Sequence, residues 1–309
     1  MAITASMVKE LREMTGAGMM DCKKALNETN GDMDAAVEFL RKNGQAKAEK
    51  KASRIAAEGV ARAAISADGK TACVIEVNSE TDFVAKNETF TSFVEAVNAA
   101  ALASDLQGGK DGEDIEALLA VPFEGATVKD ALVEKTATIG EKLSIRRFEK
   151  VAGDVAVSYI HGGGRIGVIV AANGASDDAA REALTNIAMQ VAALNPKFIA
   201  VENVPEEYLA KEREILTQMT MNDEKNAKKP ANIIEKMIEG RLNKEMKEVC
   251  LVEQPYVKDG DLTVKKYIES VAKEVGAPIT IRRMVRFETG EGLEKKQENF
   301  AEEVAKAAQ

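Results

Sequence analysis

Thr81-Asp82-Phe83-Val84 places an acid and an aromatic in four residues. A strand-like run, Val74 to Val77, precedes them, and an apolar stripe at helical spacing, Phe90, Phe93, Val94 and Val97, follows. Two kinds of chemistry suit this pattern. In one, Thr81 or Asp82 caps the coming helix and Phe83 packs locally. In the other, the four residues form a protruding turn that offers an acid and an exposed aromatic to a partner. Aromatics anchor interfaces out of proportion to their number, and this chain spends only 4% of its residues on them, with no Trp. The residues alone leave both readings open.

Few other groups have the types and spacing for catalysis. His161 is the single histidine, so a second histidine is not there to build a metal site or a histidine pair. Beside a glycine run it reads as a loop residue rather than a general base. Gly162-Gly163-Gly164-Arg165-Ile166-Gly167 matches the dinucleotide fingerprint in form only. That motif aims a helix N-terminus at a pyrophosphate, whereas Val168-Ile169-Val170 follows here and reads as a strand. No phosphate loop of the G-x-x-x-x-G-K-[ST] type occurs. Cys22, Cys73 and Cys250 are odd in number and contain no CxxC pair, so neither a zinc site nor a disulfide framework is expected. The sequence therefore assigns no catalytic, cofactor-binding or metal-binding residue, and the expectation is a protein that is not an enzyme.

The charge balance points the same way. A net charge of −9 gives no overall electrostatic footprint for nucleic acid. A protein partner is expected, with no direct nucleic-acid binding. The N-terminus lacks an uninterrupted apolar core of the signal-peptide kind, and no run of 18 or more apolar residues would span a membrane. A soluble cytoplasmic protein is expected.

The elements that must position these residues can be read along the chain. Three short helices are expected in residues 1–45. The first is capped by Thr4 or Ser6 with Val8, Leu11 and Met14 inward, the second spans Met19 to Leu26, and the third spans Asp34 to Arg41 with Val37 and Leu40 inward. A basic stretch, Lys47 to Arg54, then leads away. The body contains a duplication: Ile139-Gly140-Glu141-Lys142-Leu143-Ser144-Ile145-Arg146-Arg147 recurs as Val275-Gly276-Ala277-Pro278-Ile279-Thr280-Ile281-Arg282-Arg283. A hairpin pattern precedes each copy, Gly59 to Ile65 with Ala72 to Val77, and Val155 to Ile160 with Gly167 to Ala171. The second copy carries an inserted helical hairpin, Pro205 to Met221 and Ala231 to Val249. Ile234, Ile238 and Leu242 form one stripe, beside Met237 and Met246, and Tyr208, Ile215 and Met219 face it. Such a hairpin, a short coiled coil in pattern, could pair with a second copy, fold back on the core or reach a partner. Leu293 to Ala308 reads as a charged amphipathic helix with Leu293, Phe300 and Val304 on one side.

The expected class is α+β. The expected units are a helical module and linker (1–54), two core subdomains with small antiparallel sheets (55–151 and 152–287, the latter with the insertion at about 203–249), and a C-terminal helical module (288–309).

Two long stretches carry a family resemblance. Thr15-Gly16-Ala17-Gly18-Met19-Met20-Asp21-Cys22-Lys23-Lys24-Ala25-Leu26 resembles the N-terminal signature of the elongation factor Ts family. Glu76-Val77-Asn78-Ser79-Glu80-Thr81-Asp82-Phe83-Val84-Ala85-Lys86 resembles its second signature. Ile139-Gly140-Glu141 with Ile145-Arg146-Arg147, the His161-Gly162 turn, and Arg286-Phe287-Glu288 with Gly290-Glu291-Gly292 follow in the family's order. The resemblance implies a UBA-like N-terminal module, and a nucleotide exchange factor that acts on the GTPase elongation factor Tu without a cofactor. It implies that Thr81, Asp82, Phe83 and Val84 enter the partner's nucleotide-binding domain and disturb its Mg²⁺ and phosphate-binding region. It implies further contacts from Lys23, Ile139, Gly140 and His161. The alternative from another class is a scaffold whose helical modules only dock.

Overall fold

The computed structural model describes residues 3–223, 226 and 229–294. Helix α1 (Ala5–Thr15) is capped by Thr4, whose hydroxyl accepts from Met7 N, and ends at Gly16 in the left-handed region, φ 64°. Helix α2 (Met19–Glu28) and helix α3 (Met33–Lys51), the latter capped by Asp32, complete a bundle. Its buried core is Val8, Leu11, Cys22, Ala25, Leu26 and Ala36. Met14, expected inside, is 60% exposed. It sits in the last turn of α1 and lines a cleft beside the core instead.

The third helix also runs a further ten residues beyond Arg41 and takes in most of the basic stretch expected to be a linker. Ala, Lys, Glu and Gln, which fill that stretch, are strong helix formers, and Lys50 and Lys51 lie at the C-terminal end, where cations suit the helix dipole. Gly44 does not break the helix.

The first half of the body begins with strands β1 (Glu58–Ile65) and β2 (Thr71–Ser79), an antiparallel hairpin in the expected place. Helices α4 (Asp82–Ala85) and α5 (Glu88–Ala103) follow. After them come β3 (Gly108–Gly109), helix α6 (Ile115–Leu119), the short pair β4 (Pro122–Phe123) and β5 (Ala126–Thr127), helix α7 (Val128–Ile139) and β6 (Ser144–Ala152). The second half repeats the plan. Strands β7 (Val155–His161) and β8 (Ile166–Gly174) are followed by helix α8 (Asp178–Leu194), the helical hairpin α9 (Glu206–Met221) and α10 (Ala231–Val249), the pair β9 (Pro255–Tyr256) and β10 (Asp259–Thr263), helix α11 (Val264–Val275) and β11 (Ile279–Glu288).

The duplication seen in sequence is a duplication of topology. The sheets run β1-β2-β6-β3 and β11-β8-β7, so in each the hairpin's second strand is flanked by its first strand and by the strand bearing the Arg pair. In each half a helix ending in a left-handed glycine, Gly140 (φ 88°) or Gly276 (φ 72°), delivers the chain to that strand.

The two sheets face each other across a layer of mostly small residues: Ala61, Ala72, Val74, Val151, Ala156, Ile169, Ala171, Val285 and Phe287. Helices cover the outer faces. Phe90, Phe93, Val94 and Val97 of α5 pack on β2 and β6, and Leu184, Ile187 and Val191 of α8 pack on β7 and β8. Both faces of β2 are therefore dry, which is why it reads as an almost continuous apolar run. The α+β architecture thus has four layers, helix, sheet, sheet and helix.

In the helical hairpin, Ile238, Leu242 and Met246 of α10 are buried and Ile234 is half-buried, close to the expected stripe. The facing side differs. Ile215 and Met219 are exposed, and Tyr208, Leu209 and Leu216 do the packing. Thr220 is buried in the same hairpin and accepts a hydrogen bond from Arg241. Tyr208 packs inward as expected, and past it the inner stripe of α9 is shifted by one residue, about 100° on a helix, from Ile215 and Met219 to Leu216 and Thr220. The amphipathic helix expected for Leu293 to Ala308 lies, from residue 295 onward, outside the described residues. Among the described residues no helix is long and apolar enough to cross a membrane.

Candidate functional site

Strand β2 ends at Ser79, and the chain turns at once into the four-residue helix α4. Thr81 is its N-cap, with the hydroxyl accepting from Val84 N at 3.4 Å. Asp82 is exposed and pairs with Lys86 at 2.7 Å; the hydrogen bond from that ammonium holds its carboxyl below the usual carboxylate range. Val84 and Ala85 turn inward and pack against the core under α5. Phe83 is 82% exposed.

The two sequence readings thus divide between residues. Thr81 does cap, but Phe83 does not pack locally. Successive helical residues are separated by about 100°, so with Val84 and Ala85 committed to the core, position 83 points outward. Among the described residues it is the one exposed phenylalanine.

A short helix with an aromatic at its tip has little stiffness of its own. It is held by residues distant in sequence. One carboxylate oxygen of Glu141 accepts from the backbone N–H groups of Glu80 (3.1 Å) and Thr81 (2.9 Å), and the other accepts from the Thr81 hydroxyl (2.6 Å). The reverse contact is also made: Glu80 accepts from Lys142 N at 2.5 Å. Arg54, just beyond α3, pairs with Glu80 at 3.2 Å, and Lys142 Nζ donates to the Arg54 carbonyl at 2.8 Å. Below this, Glu76 of β2 is fully buried. It accepts from Arg146, Arg147, Asn78 and the backbone of Gly290 at 2.6–3.1 Å.

Of the residues singled out from sequence, Thr81, Asp82, Phe83 and Val84 are therefore joined to Ile139 and Gly140. Gly140 is the left-handed cap of α7, and the next two residues make the cross-links to the turn. His161 is at the exposed end of β7, with Nδ1 3.0 Å from the Tyr159 hydroxyl. Its turn leans on β1, where Ala61 N donates to the Gly164 carbonyl at 2.7 Å. Lys23 is exposed on α2, in the bundle that reaches the body through α3 and α7. Glu80 and Glu141 were not among the residues singled out. Both stand inside the motifs quoted above, but nothing in a linear reading says that the Glu141 carboxylate takes the Glu80 N–H, 61 residues away, while the Glu80 carboxylate takes the Lys142 N–H.

Between the bundle and α7 runs a cleft of about 640 Å³, lined by Met14, Val37, Leu40, Phe123, Ala137 and others. Arg41 bridges its edge to Asp130 at 2.6 Å. Among the described residues no group of three or more His, Cys, Asp or Glu side chains is placed to hold a metal ion.

Fold and site together define a two-sheet α+β protein with a duplicated core and an aromatic held outward on a braced turn. Comparison with known proteins puts that class in a family. Residues 80–291 match the family model described as Elongation factor TS. The chain is 54% identical over 308 residues to Elongation factor Ts of Clostridioides difficile (strain 630), covering 98% of each chain. It is 53% identical to Elongation factor Ts of Clostridium novyi (strain NT), covering 98% of this chain and 97% of the relative. The chain belongs to the elongation factor Ts family.

Proposed function

We propose that this protein is a guanine nucleotide exchange factor of translation elongation, with elongation factor Tu as its partner and Phe83 as the group that opens the partner's nucleotide site. The observation that carries this reading is the exposure of Phe83 at 82% on a turn fixed by three hydrogen bonds to Glu141. An aromatic left in water costs solubility and gains nothing for the fold, so its worth lies in a complex.

Nucleotide affinity in a GTPase rests on a phosphate loop and on Mg²⁺ that neutralises phosphate charge. A wedge of Thr81, Asp82, Phe83 and Val84 that displaces the magnesium-coordinating region weakens both. Lys23, Ile139, Gly140 and His161 supply further contacts around it. The coupling is reciprocal: if the factor lowers the affinity of the partner for GDP, GDP lowers the affinity for the factor by the same ratio. The ternary complex sheds one ligand or the other, and GTP completes the cycle. No bond is made or broken, and no cofactor is needed. Residues 1–54, 55–151, 152–287 and 288–309 serve as the working units in this reading.

The experiment is release of a fluorescent GDP analogue from elongation factor Tu, with wild type and with Phe83→Ala. Acceleration by wild type that is lost in the variant supports the reading. A folded wild type that gives no acceleration sinks it, and leaves a scaffold that only docks.

A further inference from the structure

We propose that Glu141 is a positioning residue for exchange: it sets the Thr81–Val84 turn in its binding geometry before any partner arrives, and Glu80 locks it from the opposite side. This rests on the exchange reading above and deepens it.

The geometry is that of a two-way brace. The Glu141 carboxylate takes the Glu80 and Thr81 N–H groups on one oxygen and the Thr81 hydroxyl on the other, at 2.6–3.1 Å. The Thr81 N–H is one of the donors that a helix N-terminus leaves unpaired. Charged acceptors make the stronger hydrogen bonds. The Glu80 carboxylate returns the favour by accepting from Lys142 N. The turn carrying Phe83 and the turn ending α7 are thus each closed by a side chain from the other, and Arg54 ties in the end of α3 through Glu80.

Neither carboxylate serves the hydrophobic core. Glu141 serves the backbone of the turn and its cap, and Glu80 serves Lys142 N and Arg54. What the brace removes is freedom of the turn, and freedom is what a wedge would otherwise lose on binding. Ordering a loop at an interface costs affinity, and pre-organising it recovers that cost. Glu141 acts through Phe83 and does not itself need to touch the partner.

Four variants test this: Glu141→Ala, Glu141→Gln and Phe83→Ala singly, and Glu141→Ala combined with Phe83→Ala. A glutamine keeps a carbonyl for the two N–H groups, and its amide can donate to the Thr81 hydroxyl, so Glu141→Gln should retain most of the exchange. Glu141→Ala should lower stimulated GDP release by about tenfold or more with little change in melting temperature. In the Phe83→Ala background the same change should matter less than in wild type, because Phe83 is the main group on the turn that Glu141 positions. Amide hydrogen exchange on the free protein is the second readout. The amides of Glu80 and Thr81 should lose protection in Glu141→Ala and keep it in Glu141→Gln.

Multiplying losses in the double variant would mean that Glu141 acts independently of Phe83, and would overturn the proposal. So would wild-type release by Glu141→Ala, or unchanged protection of the two amides. A wild type that fails to accelerate release defeats the exchange reading instead, while the amide measurement still decides whether the brace holds the turn.

Discussion

Arg147 donates through Nε to the fully buried carboxylate of Glu76 at 2.6 Å, joining the adjacent strands β6 and β2 beneath the Phe83 turn. The same guanidinium lies 4.3 Å over the ring of Phe287 and donates to the Glu288 carbonyl, so this pair also ties the first sheet to the second. Removing Glu76 leaves the buried Arg147 guanidinium with the solvent-exposed carboxylate of Glu291, 3.3 Å away, as its remaining charge partner. Glu76→Leu should therefore destabilise the protein by about 3–5 kcal/mol, read from urea denaturation. A loss near zero would show that water or rearrangement satisfies Arg147.

Phe83 and Phe90 stand seven residues apart and should answer differently to the same substitution. Phe90 is fully buried under α5, and Phe90→Ala should cost about 3–5 kcal/mol. Phe83→Ala removes an exposed ring and should change stability by less than about 0.5 kcal/mol. Thermal melts of the two variants side by side check the contrast.

The contact of α3 with α7 has room for a methyl group at Gly44. A Cβ built on Gly44 would lie 3.5 Å from Ala137 Cβ, an ordinary contact. Gly44→Ala should thus stabilise the protein by up to about 1 kcal/mol, through helix propensity. Chemical denaturation reads the sign; a destabilising alanine would mean that the added methyl does not fit against Ala137.

The three cysteines are buried and free. Burial pushes the Cys73 thiol up to about 12, against a smaller opposing pull from Lys150, and burial also raises Cys22 and Cys250. Only the thiolate reacts, and a raised pKa leaves less of it at any pH below that value. A thiol-disulfide reagent at about pH 8 should accordingly label the native protein slowly and all three sites quickly once urea unfolds it. Rapid native labelling of Cys73 would contradict its burial on β2 in the core that α5 covers.

Much of this layout was legible in the residues. Both hairpins, the Arg-Arg strands and the stripe of α5 follow from local rules: alternation, β-branching and caps. The departures of the structure from this reading have two causes. Met14, Ile215 and Met219 satisfy helical periodicity, yet each is exposed, because an apolar stripe is wider than the contact it makes. The length of α3 was missed since Gly44 counts against a helix locally, and the helix packed across it counts in favour.

By itself, then, the sequence determined the elements, their duplication and the motif in which Phe83 sits. Those depend on interactions within a few residues, which a linear pattern records. Tertiary structure alone decided which way Phe83 points, that Glu141 and Glu80 brace its turn, and that two alanine-rich sheet faces meet. Those depend on the approach of segments tens of residues apart, and periodicity says which residues share a face without saying what that face meets.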